Sequence, residues 1–324
     1  MSHRPRRGTG VLFSVVISAL AFSSVAHAEI SRFVAGGTAD SSYGISPSDV
    51  SADGRFVAFT KDGDGVVDGD TNGAIDLFVR DRAHGSTQGI GVNEQGELVG
   101  AYGGTVSDNS RLVAFLAPDG ILAGDTNGLA DVFLRESGTT TLVTRGVGGG
   151  PADGQAGVPQ ISGDGRFVAF ESQATNLVAG DTNGSSDVFL YDVQEGTTVL
   201  VSAGREGGSA HGWSTAPSIS ADGRYVAFQS DAWDLQPAQN TFGVQVFVYD
   251  RVTGAVSIVS VDDWGTPGSY GASFGPSISA DGNVVAFSTL DPADRNEPGR
   301  RLRPQLGRWD DTSRLTAAWV CNQR

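Results

Sequence analysis

The chain has 324 residues, 46 of them glycine, with one cysteine and one methionine, and 22 basic residues oppose 37 acidic ones for a net charge of −15. Glycine at this level is roughly twice its usual share, yet it follows no three-residue period, which excludes a collagen. A lone Cys321 excludes a disulfide-stapled scaffold, and the acidity argues against a nucleic-acid partner, because phosphate would be repelled.

The chain opens on Arg4, Arg6 and Arg7, an apolar run from Val11 to Val25, and Ala26-His27-Ala28. A basic start, an apolar stretch and a small-x-small site make residues 1–28 a signal peptide. The run is too short to span a bilayer comfortably, and no second apolar segment follows. The mature chain is therefore expected to be exported, to the periplasm or the extracellular space, with no membrane span after cleavage. Ile30 to Val34 look like the fourth strand of a later repeat, Val256 to Val261. They are expected to close a ring of blades by pairing with the last one, leaving no free edge.

Residues 29–294 are a repeat. Val50 to Phe59 aligns with Val106 to Phe115, Ile161 to Phe170, Ile219 to Phe228 and Ile278 to Phe287. The closing phenylalanines lie 56, 55, 58 and 59 residues apart, a period that signals stacked or radial repeats. The third unit reads as four strands. Gln160-Ile161-Ser162 is extended, and Asp164-Gly165 is a hairpin turn. Arg166 to Phe170 is an apolar strand, residues 172–186 a polar loop, and Asp187 to Asp192 and Thr197 to Ser202 the last two strands. No stretch beyond the signal shows a sustained 3.6-residue apolar period, so helices should be scarce. The prediction is an all-β fold: a β-propeller of four-stranded antiparallel blades, about five repeats, the last incomplete.

Ser162-Gly163-Asp164-Gly165-Arg166-Phe167-Val168-Ala169-Phe170 resembles the TolB-type, WD-repeat-like propeller repeat of exported bacterial proteins. Units at Ser51 and Ser220 carry the motif too; the unit at Ser279 has Asn283 for the arginine, and Asp108-Asn109-Ser110-Arg111 lacks the glycine. The resemblance implies the propeller fold over about 30–290. It leaves function open, because such propellers serve many ends, and the N-terminal α/β domain that accompanies the propeller in the TolB type is not expected here.

The tail departs from the pattern. Residues 295–324 hold seven arginines against three acidic residues. Shifted by one base, the codons around Arg300 to Pro304 and Trp309 to Thr316 accommodate the Asp-Val-Phe and Gly-Thr-Thr elements of the missing strands. The tail is expected to be an aberrant, basic segment from a shifted frame, leaving the fifth blade without its outer strands.

Candidate chemistry lies between the second and third strands. Asp70-x-Asn72-x-x-x-Asp76, Asp125-x-Asn127-x-x-x-Asp131 and Asp181-x-Asn183-x-x-x-Asp187 place oxygen side chains in glycine-containing loops. That arrangement suits a hard cation, Ca²⁺ above all, which takes six to eight oxygens. Asp62, Asp64 and Asp68 add carboxylates to the first loop. The fourth unit carries Gln239, Thr241 and Gln245 at the matching positions and should not bind. The same residues would also make a plain structural turn, since Asp and Asn bond their own backbone two residues on. Only His84 and His211 survive signal removal, so a three-histidine zinc site is impossible within one chain. No nucleophile-elbow motif accompanies His211. Tyr43, Tyr102, His211, Trp213, Tyr270 and Phe274 lie in loops before the first strands and are candidates for binding a protein, peptide or glycan at the loop face. Packing between blades is the other reading of these rings.

Two functions follow from this pattern. One is a non-catalytic binding or interaction scaffold, calcium-stabilised through its Asp-containing loops. The other is a secreted hydrolase or lyase acting on a glycan or peptide. Carboxylates that repeat from blade to blade favour the first.

Overall fold

A computed structural model describes residues 46–235, 243–261, 272–290, 302–308 and 319–320. The signal segment, the expected closing strand at 30–34, Tyr43, Gln239, Thr241 and Tyr270 lie outside the described residues. Blade 1 comprises β1 Ser46–Val50, β2 Phe56–Asp62, β3 Ile75–Asp81 and β4 Ser86–Gly89. Blade 2 comprises β5 Tyr102–Val106, β6 Leu112–Ala117, β7 Asp131–Glu136 and β8 Thr139–Leu142. Blade 3 follows with β9 Gln160–Ile161, β10 Phe167–Ser172, β11 Asp187–Asp192 and β12 Thr197–Leu200, and blade 4 with β13 Ser214–Ile219, β14 Tyr225–Ser230, β15 Gln245–Asp250 and β16 Ala255–Ile258. Blade 5 contains β17 Ser273–Ile278, β18 Val284–Leu290, β19 Leu302–Arg308 and β20 Trp319–Val320. Each blade is an antiparallel sheet whose strands lie in chain order, and no helix occurs among the described residues.

The apolar run that ends each repeat motif is continuous because both faces of a blade are covered. In β10, Val168 and Phe170 join a core shared with blade 2, whereas Phe167 and Ala169 join a core shared with blade 4. β14 repeats this: Val226 and Phe228 face blade 3, and Tyr225 and Ala227 face blade 5. Period-two alternation thus sends neighbouring side chains into different cores. The recurring phenylalanines stack across the second and third strands of blades 1 to 4: Phe59–Phe78, Phe115–Phe133, Phe170–Phe189 and Phe228–Phe247, with ring centroids 5.6–5.7 Å apart. All eight rings are buried.

The Ser-x-Asp-Gly-Arg motif is a turn that is bonded at each residue. Ser162 Oγ donates to Asp164 at 2.6 Å and accepts the Phe167 amide at 2.9 Å. The same Ser-to-Asp bond recurs at Ser51, Ser220 and Ser279. The arginine crosses to the end of the third strand: Arg55 to Asp81, Arg166 to Asp192 and Arg224 to Asp250, at 2.7–3.0 Å. Each guanidinium also covers the ring of the next residue. The glycine takes φ of +78° at Gly165 and +65° at Gly223. In the second repeat Ser110 takes that left-handed position, at φ +56°.

First strands of adjacent blades abut one another but belong to separate sheets. Side chains stitch them together. Asp49 accepts the Val106 amide at 2.8 Å, Thr105 Oγ1 the Ile161 amide at 3.2 Å, and Ser218 Oγ the Ile278 amide at 3.0 Å.

Blade 5 differs from expectation. Tail residues supply a third strand, β19, and a two-residue fourth, β20, because main-chain pairing does not depend on side-chain type. The register still sets this sheet apart. Gln305 stands opposite Phe287, where the other blades pair Phe with Phe, and Pro304, which has no N–H to give, stands opposite Ser288.

Candidate functional site

The loop from the second to the third strand brings two aspartates of each motif together at the start of the third strand. Asp76, Asp131 and Asp187 are wholly buried, and Asp70, Asp125 and Asp181 nearly so. Strand position accounts for the second acid of each pair, since it is the first or second residue of β3, β7 or β11.

The asparagines make the turn. Asn72, Asn127 and Asn183 each accept, through Oδ1, the amide two residues on, at 2.7–2.9 Å. Their Nδ2 donates to Asp76, Asp131 and Asp187 at 3.1, 2.6 and 2.9 Å. An Nδ2 facing the carboxylate means the amide oxygen is turned away, so the asparagines leave the candidate ligand set and the aspartates remain. The turn reading is thus correct for the asparagines.

The aspartates are not satisfied in the same way. Asp131 and Asp187 also accept hydroxyls, from Thr144 at 2.5 Å and Ser202 at 2.6 Å. Asp76 Oδ1 accepts the Gly100 amide, and Asp70 Oδ2 the Val66 amide. Both oxygens of Asp125 and of Asp181, with Asp70 Oδ1 and Asp76 Oδ2, are buried without a hydrogen bond. Ser209 and the Asn183 amide lie close enough to Asp181 to favour its charged form, but outside hydrogen-bond geometry. Every buried, unpartnered carboxylate oxygen among the described residues belongs to these three loops.

Burial is the main cause that pushes five of these aspartates up. Asp125 rises to about 7 through burial and the charges of Asp131 and Asp119. Asp187 rises to about 6 through burial, with Asp181 and Asp234 adding to it against the bonds from Ser202 and Asn183. Burial also raises Asp76, Asp131 and Asp181.

Asp119 is a residue that sequence reasoning missed. It accepts the Gly128 amide at 2.9 Å, as Asp64 accepts that of Gly73 at 2.7 Å. The shared nine-residue offset to the turn glycine was the available signal. In blade 1, Lys61 Nζ donates to the carbonyls of Asp62, Gly63 and Asp64 at 3.2, 3.1 and 2.8 Å. Among the described residues no three His, Cys, Asp or Glu converge in metal-holding geometry.

The candidate ligand-binding rings are spread over the blades. Tyr102 and Phe274 lie within the first strands β5 and β17, not in the loops before them as the sequence suggested, at one register position opposite Leu116 and Ser288; Tyr102 is exposed and Phe274 half-buried. Trp213 is half-buried before β13, its amide on Asp231 at 2.8 Å. His211 is exposed, with Nδ1 2.8 Å from Asp234 and its ring 5.0 Å from that of Trp233. Trp233, missed in the sequence, is 60 % exposed. Its place in the blade is the one that Thr175 fills in blade 3, where Thr175 is bonded to Asp153 instead.

Five meandering four-stranded sheets joined face to face through shared cores define the architecture. The chain is a β-propeller. It is similar to several solved structures. A prolyl endopeptidase structure is 17 % identical over 89 % of this chain and 37 % of its own, with a TM-score of 0.50. TolB from Acinetobacter baumannii is 19 % identical over 82 % of this chain, TM-score 0.45, and this propeller spans about half of it, 52 %. The β-propeller domain of the Trilobed protease from Pyrococcus furiosus is 10 % identical over 85 % of this chain and 82 % of its own, TM-score 0.41. No protein-family model matches the propeller, and no curated protein matches it. No helix among the described residues is long and apolar enough to cross a membrane.

Proposed function

We propose that this propeller is an exported, non-catalytic binding scaffold that presents its loop face to a peptide or glycan outside the cytoplasm, with calcium bracing that face. The basic, apolar and small-residue start of the chain supports export. The acidic loops support a bracing role, because they recur in three blades instead of converging on one centre.

The observation that carries the binding reading is the break in that recurrence. In blade 4 the loop presents the exposed Trp233 ring beside His211, held by Asp234. An exposed tryptophan next to fixed polar groups gives a flat apolar contact with hydrogen-bonding at its rim, the composition of a recognition hot spot. The test is binding of the full chain to arrays of oligosaccharides and peptides, repeated with Trp233→Ala. Capture should weaken about tenfold or more in the variant. Equal capture by both proteins would overturn the assignment, and cleavage of a captured ligand would overturn the non-catalytic reading.

A further inference from the structure

We infer that the loops of blades 2 and 3 are two calcium sites, with Asp125 and Asp181 as the principal ligands and Asp131 and Asp187 as their partners. This rests on the calcium-braced reading above and assigns it to particular atoms.

Asp125 is 3 % exposed and Asp181 6 %, and neither has a hydrogen bond to either oxygen. A buried carboxylate left unbonded is costly, and two together repel. A bound cation removes both penalties at once. Blade 1 is built differently. Asp70 and Asp76 each have one oxygen on a backbone amide, and the Lys61 ammonium lies on three carbonyls of the same loop. It is left out of the assignment.

Blade 4 supplies a natural comparison. Gln239 and Thr241 replace the first acid and the asparagine, and Gln245 replaces the second acid. Gln245 is buried, and Ser260 Oγ donates to its Oε1 at 2.6 Å, just as Ser202 donates to Asp187 at 2.6 Å. The hydrogen bond survives and the charge does not. A turn needing only the bond has no reason to lose both acids together, whereas a cation site does.

The donor set selects the ion. All candidate donors are oxygens, which suits a hard cation and not zinc or copper. Two carboxylates per site leave the remaining positions to backbone carbonyls and water, which calcium accepts and magnesium, with its strict octahedron, accepts less readily. So few charged ligands place the affinity at roughly 10⁻⁴–10⁻³ M, the range of extracellular calcium modules.

The test uses the full chain stripped with EGTA. Calorimetry with CaCl₂ should give two sites, and 5 mM CaCl₂ should raise Tm by about 5 °C or more over EGTA. Asp187→Gln copies the Gln245 arrangement. It should remove one site and reduce the calcium shift while Tm in EGTA stays level or rises. Asp131→Gln should do the same independently, and an unchanged far-ultraviolet circular dichroism spectrum shows that each variant is folded. No heat and no Tm change in the parent protein, or variants that respond to calcium as the parent does, would overturn the inference. Ligand capture that persists in EGTA would then leave the scaffold reading standing, so the two failures are told apart.

Discussion

Ser110→Gly should make this protein more stable, although it deletes a side chain. Ser110 occupies the left-handed turn position that glycine fills in the other four repeats, at φ +56°. A residue with Cβ pays about 1–2 kcal/mol there. Glycine returns about 0.5–1 kcal/mol of that through the greater freedom of the unfolded chain. The Ser110 hydroxyl adds to the gain on replacement, because it is buried without a hydrogen bond and such a group costs about 1–3 kcal/mol at most. The net expectation is a gain of at least about 1 kcal/mol, or at least about 2–4 °C in Tm for a domain of this size. The mirror change, Gly223→Ala, should lose far more. Its φ is +65°, and a Cβ there would lie 2.2 Å from Phe167 Cδ2, in a ring 2 % exposed that cannot step aside. Left-handed strain and overpacking together should cost about 2–5 kcal/mol. Urea unfolding of both variants against the parent decides the matter. A Ser110→Gly protein less stable than the parent would refute the idea that the glycine is there for backbone conformation.

Phe189→Ala should cost about 3–5 kcal/mol, because the ring is fully buried and stacks on Phe170 at 5.7 Å; chemical denaturation measures it. The arginine-to-aspartate bridges should make the fold acid-sensitive. Arg55 holds Asp81 well below the usual carboxylate range. Burial raises Asp192 and Asp250, but Arg166 and Arg224 with neighbouring amides outweigh it and hold both low. Folded values below the unfolded ones mean the contribution is complete above about pH 4 and is lost as pH falls further. The stability lost on Arg166→Gln, read as the difference in urea midpoint from the parent, should therefore shrink between pH 5 and pH 3; the buried loop aspartates, which are raised and favour the fold on acidification, cancel in that difference.

The sequence by itself determined the blade. Period, turn chemistry and an apolar run per repeat were enough to place β11 at Asp187–Asp192 and β10 within one residue of its start, because these are local preferences restated in successive repeats. It also located the acidic loops. Only the tertiary structure decided how the groups within them are used. The asparagines and aspartates share one motif, yet the asparagines spend their oxygen on a backbone amide while Asp125 and Asp181 keep both of theirs. That difference depends on which way a side chain turns once the strand start is buried, and composition does not record it. Asp119 and Trp233 were missed because each derives its meaning from a comparison between blades. Asp119 shares a backbone bond with Asp64, and Trp233 stands where Thr175 is latched down. The tail strands show the converse limit: main-chain pairing admits residues the repeat would never choose, so β19 forms with Gln305 opposite Phe287. What the repeat dictates is the fold; what departs from it, blade by blade, is where binding and metal chemistry are to be sought.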